Sequence, residues 1–139
     1  MFKIKKTFEI AIAHHLNLGY DSPCRRIHGH NLQITIYLAS KELNEAGMVM
    51  DFTQVKKKIH DKLDHQDLNE IKGIGCEVKR DITRDSRLDR RVILNPTAER
   101  LAEWICSQFL ECYRVDVQES TGNVATYEDE DFWIRLQNG

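Results

Sequence analysis

The chain has 139 residues, 41% of them hydrophobic and 30% charged, with a formal net charge of −2. That length suits a single domain over 1–139, with a core that removes roughly two-thirds of the unfolded surface from water. The near-neutral balance supplies no basic field for nucleic acid or an anionic membrane surface, and no apolar run approaches the ~18–20 residues of a membrane span.

Phe2, Ile4, Phe8, Ile10 and Ile12 occupy even positions, with Lys3, Lys5, Thr7 and Glu9 between them. Residues 2–14 therefore read as a strand with one buried face. Its basic and apolar residues alternate into His14-His15 without a small-residue cleavage site, unlike an export signal. Four cysteines (Cys24, Cys76, Cys106, Cys112) form no CxxC pair, so we expect reduced thiols in a cytoplasmic protein. Cys76, Cys106 and Cys112 read as small packing residues.

A loop, NLGYDSPCRR, follows, marked by Gly19 and Ser22-Pro23. A second strand then places Leu32, Ile34, Ile36 and Leu38 on one face. Asp51 opens a helix with Gln54 three residues on, a capping-box pattern, and Phe52, Val55, Ile59 and Leu63 make its apolar face. Residues 73–94 mix charges without a period and read as a solvated loop with a short strand or turn. Asn95-Pro96 starts a second helix, with Pro at the first helical position and a stripe of Leu101, Ala102, Ile105 and Phe109. Arg114–Ser120 is a third strand, with Val115 and Val117 inward. The turn at 120–123 returns residues 124–128 as a fourth. The order ββααββ predicts an α+β domain with a four-stranded, mostly antiparallel sheet and both helices between strands 2 and 3.

His14, His28 and His30 share even parity with the apolar faces of the strands they end or begin, so all three imidazoles can meet on one side. Three histidines with an open fourth position make a catalytic zinc site, although strand histidines also serve as ordinary packing or surface residues. His15 has the opposite parity, and a bulge at the strand end would reverse the choice. Cys24 lies four residues before His28 with Arg25 and Arg26 beside it, cations that favour a thiolate base. The same thiol could instead close the zinc site as a fourth ligand. Asp64-His65 places a carboxylate beside an imidazole that could donate a proton. Glu119 shares the parity of Val115 and Val117. It either meets a ligand with two N–H donors, such as the amino-pyrimidine edge of a pterin, or turns into solvent at the hairpin.

The segments AHHL (13–16), CRRIHGHN (24–31), GMVMDF (47–52), LDHQDLN (63–69), NPTAE (95–99) and VQES (117–120) together resemble the 6-pyruvoyltetrahydropterin synthase and 6-carboxytetrahydropterin synthase family, in the family's order. The resemblance implies Zn2+ on His14, His28 and His30, Cys24 as general base, and Asp64 and His65 as the acid or relay pair. Glu119 becomes the pterin anchor, with a possible share in the relay, and Thr97 a further substrate contact. It implies the tunnelling fold, in which three subunits close a twelve-stranded barrel and two barrels stack as a hexamer, with active sites between subunits. The three-residue gap between Cys24 and His28 is similar to the bacterial carboxy enzymes of the queuosine (7-deazaguanine) pathway. Cysteine at 24, where a related folate-pathway group has glutamate, argues against that group.

The implied reaction is that of a lyase acting on 7,8-dihydroneopterin triphosphate, with elimination of triphosphate and, in the carboxy branch, loss of acetaldehyde. The pyruvoyl product and a non-catalytic zinc module are the alternatives. Arg25, Arg26 or arginines of the 79–91 segment would bind the triphosphate. A nucleic-acid role for that segment is disfavoured by the acids interspersed among its cations. The 73–94 segment is longer than in compact members of the family.

Overall fold

The structure, a computed structural model, describes residues 1–80 and 89–139. Two long strands, β1 (Phe2–His14) and β2 (His28–Ser40), pair antiparallel without interruption from Phe2↔Ser40 to His14↔His28. The alternation expected from sequence is present. Phe8, Ile10 and Ile12 are buried on β1, and Leu32, Ile34, Ile36 and Leu38 on β2.

α1 (Phe52–Leu63) follows, and then β3 (Gln66–Asp67), which pairs parallel to β1 at Ile12 and Ala13. β4 (Cys76–Arg80) and β5 (Asp89–Ile93) form a separate antiparallel ribbon. α2 (Ala98–Ser107), β6 (Cys112–Ser120), β7 (Asn123–Glu128) and α3 (Phe132–Asn138) complete the described chain. The main sheet has the order β3-β1-β2-β6-β7. α1 lies against β1, and α2 against β6 and β7. One core joins both helices to the sheet: Val55, Ile59 and Leu63 of α1 and Leu101 and Ile105 of α2 meet Ile34, Ile36, Val115 and Val117. Each such side chain contributes about 1.5–3 kcal/mol through burial.

The α+β class therefore holds, but the four-stranded ββααββ description does not. The sheet has five strands and is mixed, because Gln66–Asp67 adds a parallel edge too short to show a period. Among the described residues there are three α-helices rather than two. α3 seats Phe132, 2% exposed, next to Tyr113 and Trp133. Within the 73–94 stretch, expected as a loop with a short strand or turn, β4 and β5 form a paired ribbon; residues 81–88 lie outside the described residues.

The helix starts also differ in detail. Asp51 caps α1 by accepting from the Thr53 amide at 2.8 Å instead of forming a reciprocal pair with Gln54. α2 begins after Thr97, whose hydroxyl accepts from the Arg100 amide, so Pro96 precedes the cap rather than opening the helix. Phe109 is buried but lies beyond the end of α2. Phe52, expected on the apolar face, is 49% exposed because it opens the helix before the stripe turns to the sheet. Accordingly, Ile59→Ala should destabilise the fold by about 2–5 kcal/mol and Phe52→Ala by no more than about 1 kcal/mol, measured by urea unfolding.

Candidate active site

The β1–β2 register sets His14 directly opposite His28, and His30 follows two residues on, on the same face. The ring centroids stand 4.6 Å (His14–His28), 5.1 Å (His14–His30) and 4.9 Å (His28–His30) apart. One nitrogen from each ring lies within 4.8 Å of the other two, so the three could hold a metal ion. Gly29 keeps the strands close here, because a Cβ would sit 3.3 Å from the Ile12 carbonyl oxygen.

Backbone carbonyls orient two of the rings. His14 Nδ1 is 2.8 Å from the Pro96 carbonyl, and His28 Nδ1 is 2.7 Å from that of Arg26. A ring that donates through Nδ1 keeps Nε2 unprotonated for a metal. Burial is the main reason the His14 imidazole is held below the usual histidine range. The neighbouring His28 and His30 act in the same direction, against the Pro96 carbonyl and Glu119. The neutral ring is the form that binds metal.

His15 stays out of the group. Its amide donates to Asn69 Oδ1 at 2.9 Å, and its carbonyl accepts from Asn69 Nδ2 at 3.0 Å. Its ring lines a separate cavity with Asn17, Glu70 and Arg91. Asn69 thus clamps the main chain next to His14, a role no residue-type pattern announces. Gly75 packs on the Asn69 backbone so closely that an added Cβ would lie 2.3 Å from it.

Cys24 sits in a 3-10 turn, Pro23–Arg25, opened by Ser22, whose hydroxyl accepts from the Cys24 amide at 3.2 Å. The Leu16 amide donates to the Cys24 carbonyl at 2.8 Å, tying this turn to the chain just past His15. The thiol is half-buried and does not join the three-imidazole group. Asn95 stitches the loop before α2 to the same region, accepting from the Asn17 amide and donating to its carbonyl.

Glu119 is the extra residue of a β-bulge, since Gln118 pairs with Val124 but Ser120 with Asn123. Bulges re-aim side chains beside active sites. Glu119 is half-buried and lines a cavity of about 330 Å³ with Ala98, Glu99 and the β7 residues Asn123–Ala125. Its charge acts weakly on His14, against the burial that lowers that imidazole. Thr97 stands at the same helix start, with its oxygen already accepting the capping bond.

Asp64 and His65 form their pair, Asp64 Oδ2 to His65 Nδ1 at 2.7 Å. Both are tied to one residue of β1: the Ala11 amide donates to Asp64 Oδ1 at 2.9 Å, and the His65 amide to the Ala11 carbonyl at 2.6 Å. His65 adopts φ +61°, the sole left-handed non-glycine among the described residues. Such strain gathers at functional positions. Its ring is 81% exposed and does not belong to the three-imidazole group. Of the proposed triphosphate ligands, Arg25 and Arg26 are exposed beside Cys24, and Arg91 pairs with Glu70 at 2.9 Å. Arg84 and Arg87 lie outside the described residues.

The profile of the family described as 6-pyruvoyl tetrahydropterin synthase matches residues 3–130. The chain belongs to that family. A Pyrococcus horikoshii protein provisionally named 6-carboxy-5,6,7,8-tetrahydropterin synthase is 38% identical over 119 residues, covering 78% of this chain and 74% of its own. The 6-carboxy-5,6,7,8-tetrahydropterin synthase of Synechocystis sp. is 31% identical over 140 residues, covering 91% and 93%. The Caenorhabditis elegans 6-pyruvoyl tetrahydropterin synthase structure superposes with a TM-score of 0.64 over 93% of this chain and 96% of its own, at 20% identity, a likeness of fold.

This synthase-family enzyme should lose copurifying metal on His14→Ala and keep it on His15→Ala, measured by elemental analysis of the purified variants. The reverse pattern would contradict the assignment of the two histidines to opposite faces.

Proposed function

We propose that the chain is a zinc-dependent 6-carboxy-5,6,7,8-tetrahydropterin synthase. It takes 7,8-dihydroneopterin triphosphate, eliminates triphosphate and releases acetaldehyde, a lyase reaction of queuosine (7-deazaguanine) biosynthesis. The observation that carries the reading is a group of three imidazole nitrogens able to hold a metal, to which the free thiol of Cys24 does not belong. A structural zinc module would close the site with that thiol, and a catalytic one keeps the fourth position open. The names of the P. horikoshii and Synechocystis relatives support the carboxy product. The pyruvoyl product is the second reading, favoured by the name of the family profile.

Zinc, when bound, supplies a Lewis acid toward the hydroxyls of the substrate side chain. Cys24, as thiolate, takes a proton from the side chain, and Arg25 and Arg26 beside it draw the triphosphate. Glu119 accepts from two coplanar N–H groups of the pterin ring, which compensates a half-buried carboxylate. Thr97 contacts the substrate from the start of α2. His65, held by Asp64 between turnovers, returns a proton to the departing fragment.

Because His65 is exposed and stands outside the three-imidazole group, it serves a neighbouring subunit's site in this reading. Open sheet edges support such an assembly. β3 covers β1 only at Ile12 and Ala13, and β7 is the last strand on the opposite side. Long open edges invite strand pairing, here closing three subunits into a twelve-stranded barrel and stacking two barrels as a hexamer. No helix among the described residues is long and apolar enough to cross a membrane; the expected setting is the cytoplasm.

The direct test is incubation of the metal-loaded protein with dihydroneopterin triphosphate and identification of the products by mass spectrometry. 6-Carboxytetrahydropterin with acetaldehyde supports the first reading, and 6-pyruvoyltetrahydropterin the second. Cys24→Ala should keep its metal and lose roughly 10²–10⁴ in turnover; loss of metal instead would make the thiol a ligand. Glu119→Gln should weaken pterin binding by roughly 2–4 kcal/mol, because an amide N–H would face the ring's own donors. Calorimetry on metal-loaded protein would read this, and unchanged affinity would put Glu119 in solvent.

A further inference from the structure

Among the described residues, Asp64 is the carboxylate that two imidazoles share. His65 Nδ1 is 2.7 Å from Asp64 Oδ2, and His60 Nε2 is 3.4 Å from the same oxygen, an ion-pair distance rather than a formed hydrogen bond. His60 stands four residues before Asp64, so the last turn of α1 places it over the cap. The Asp64 amide also closes on the His60 carbonyl at 3.0 Å. The two rings are held very differently. His65 is 81% exposed at the side chain and His60 34%, with Asp64 between them at 20%.

We propose that His60 is a positioning residue of the proton relay, holding Asp64 ionised and aimed while the exposed His65 moves between the carboxylate and the substrate. This rests on the reading of Asp64 and His65 as the relay. In each turnover the His65 imidazolium gives its Nε2 proton to the departing fragment and becomes neutral. Solvent returns a proton to Nε2, and Asp64 remains a carboxylate throughout. When His65 turns toward substrate, Oδ2 loses its one close donor. His60 then supplies the replacement from the same side, so the carboxylate neither rotates off Ala11 nor takes up a proton.

The groups that act on Asp64 come from each element around it. β1 contributes the Ala11 amide, which does not titrate; the loop contributes His65, and α1 contributes His60. Together they hold the carboxyl below the usual aspartate range against its burial, the Ala11 bond being the largest cause, His65 the next and His60 the smallest. A depressed carboxyl gives stability that is present above its unfolded value and lost as pH falls through the folded one. Removing His60 should therefore move that loss to higher pH.

The test combines a carboxyl 13C NMR titration of Asp64 with steady-state kinetics on metal-loaded wild type, His60→Phe and His60→Gln. His60→Phe should shift the Asp64 titration upward and lower kcat several-fold at unchanged KM. His60→Gln keeps a neutral N–H donor and should recover most of that kcat. An Asp64 titration unmoved in His60→Phe would overturn the proposal, as would a kcat loss equal in both variants, the mark of a merely structural role. Asp64→Asn separates the two readings. Wild-type turnover in that variant would remove the relay itself, whereas slow turnover with silent His60 variants would remove only the role of His60.

Discussion

Everything at the site depends on one register. β1 and β2 pair residue for residue from Phe2↔Ser40 to His14↔His28, and strand side chains alternate every residue. The pairing that buries Ile10, Ile12, Leu32 and Ile34 therefore carries His14, His28 and His30 to one end of the same face. A slip of one residue would send a whole set of side chains to the opposite face. The burial that fixes the core thus also fixes the histidines, which need no separate device to bring them together.

A second set of bonds, mostly to backbone, refines what the register brings near. The Pro96 and Arg26 carbonyls set the tautomers of His14 and His28, and Asn69 brackets the main chain at His15. Asn95 and Leu16 tie the loop before α2 and the Cys24 turn to the segment after β1. Segments distant in sequence converge on His14, so a tightly paired strand end carries the three histidines. Asp64 and His65 use the same strand differently. They clamp Ala11, and their imidazole stays exposed.

What could be read from residues alone follows from these physics. The strands β1, β2 and β6 showed a period of two because one face is buried, and that parity separated His14 from His15. β3 has two residues and α3 seven, too few for a period to appear. Phe52 matched the helical spacing yet stands at the first turn, where the stripe has not reached the sheet. The ribbon of β4 and β5 lies off the main sheet, so it lacks the alternation a core would impose. The carbonyls of Pro96 and Arg26 act through backbone and leave no residue-type signal. Parity with Val117 left Glu119 either inward or turned into solvent; its bulge was not visible, because an extra residue depends on the partner strand.

Whether the register builds an open metal site can be measured at the metal itself. X-ray absorption at the zinc edge of the loaded protein should show three imidazole nitrogens at about 2.0–2.1 Å with a light fourth ligand. Extending the measurement to Cys24→Ala should leave the spectrum unchanged. A sulfur shell at about 2.3 Å that vanishes in that variant would make Cys24 a ligand and contradict the open, catalytic centre.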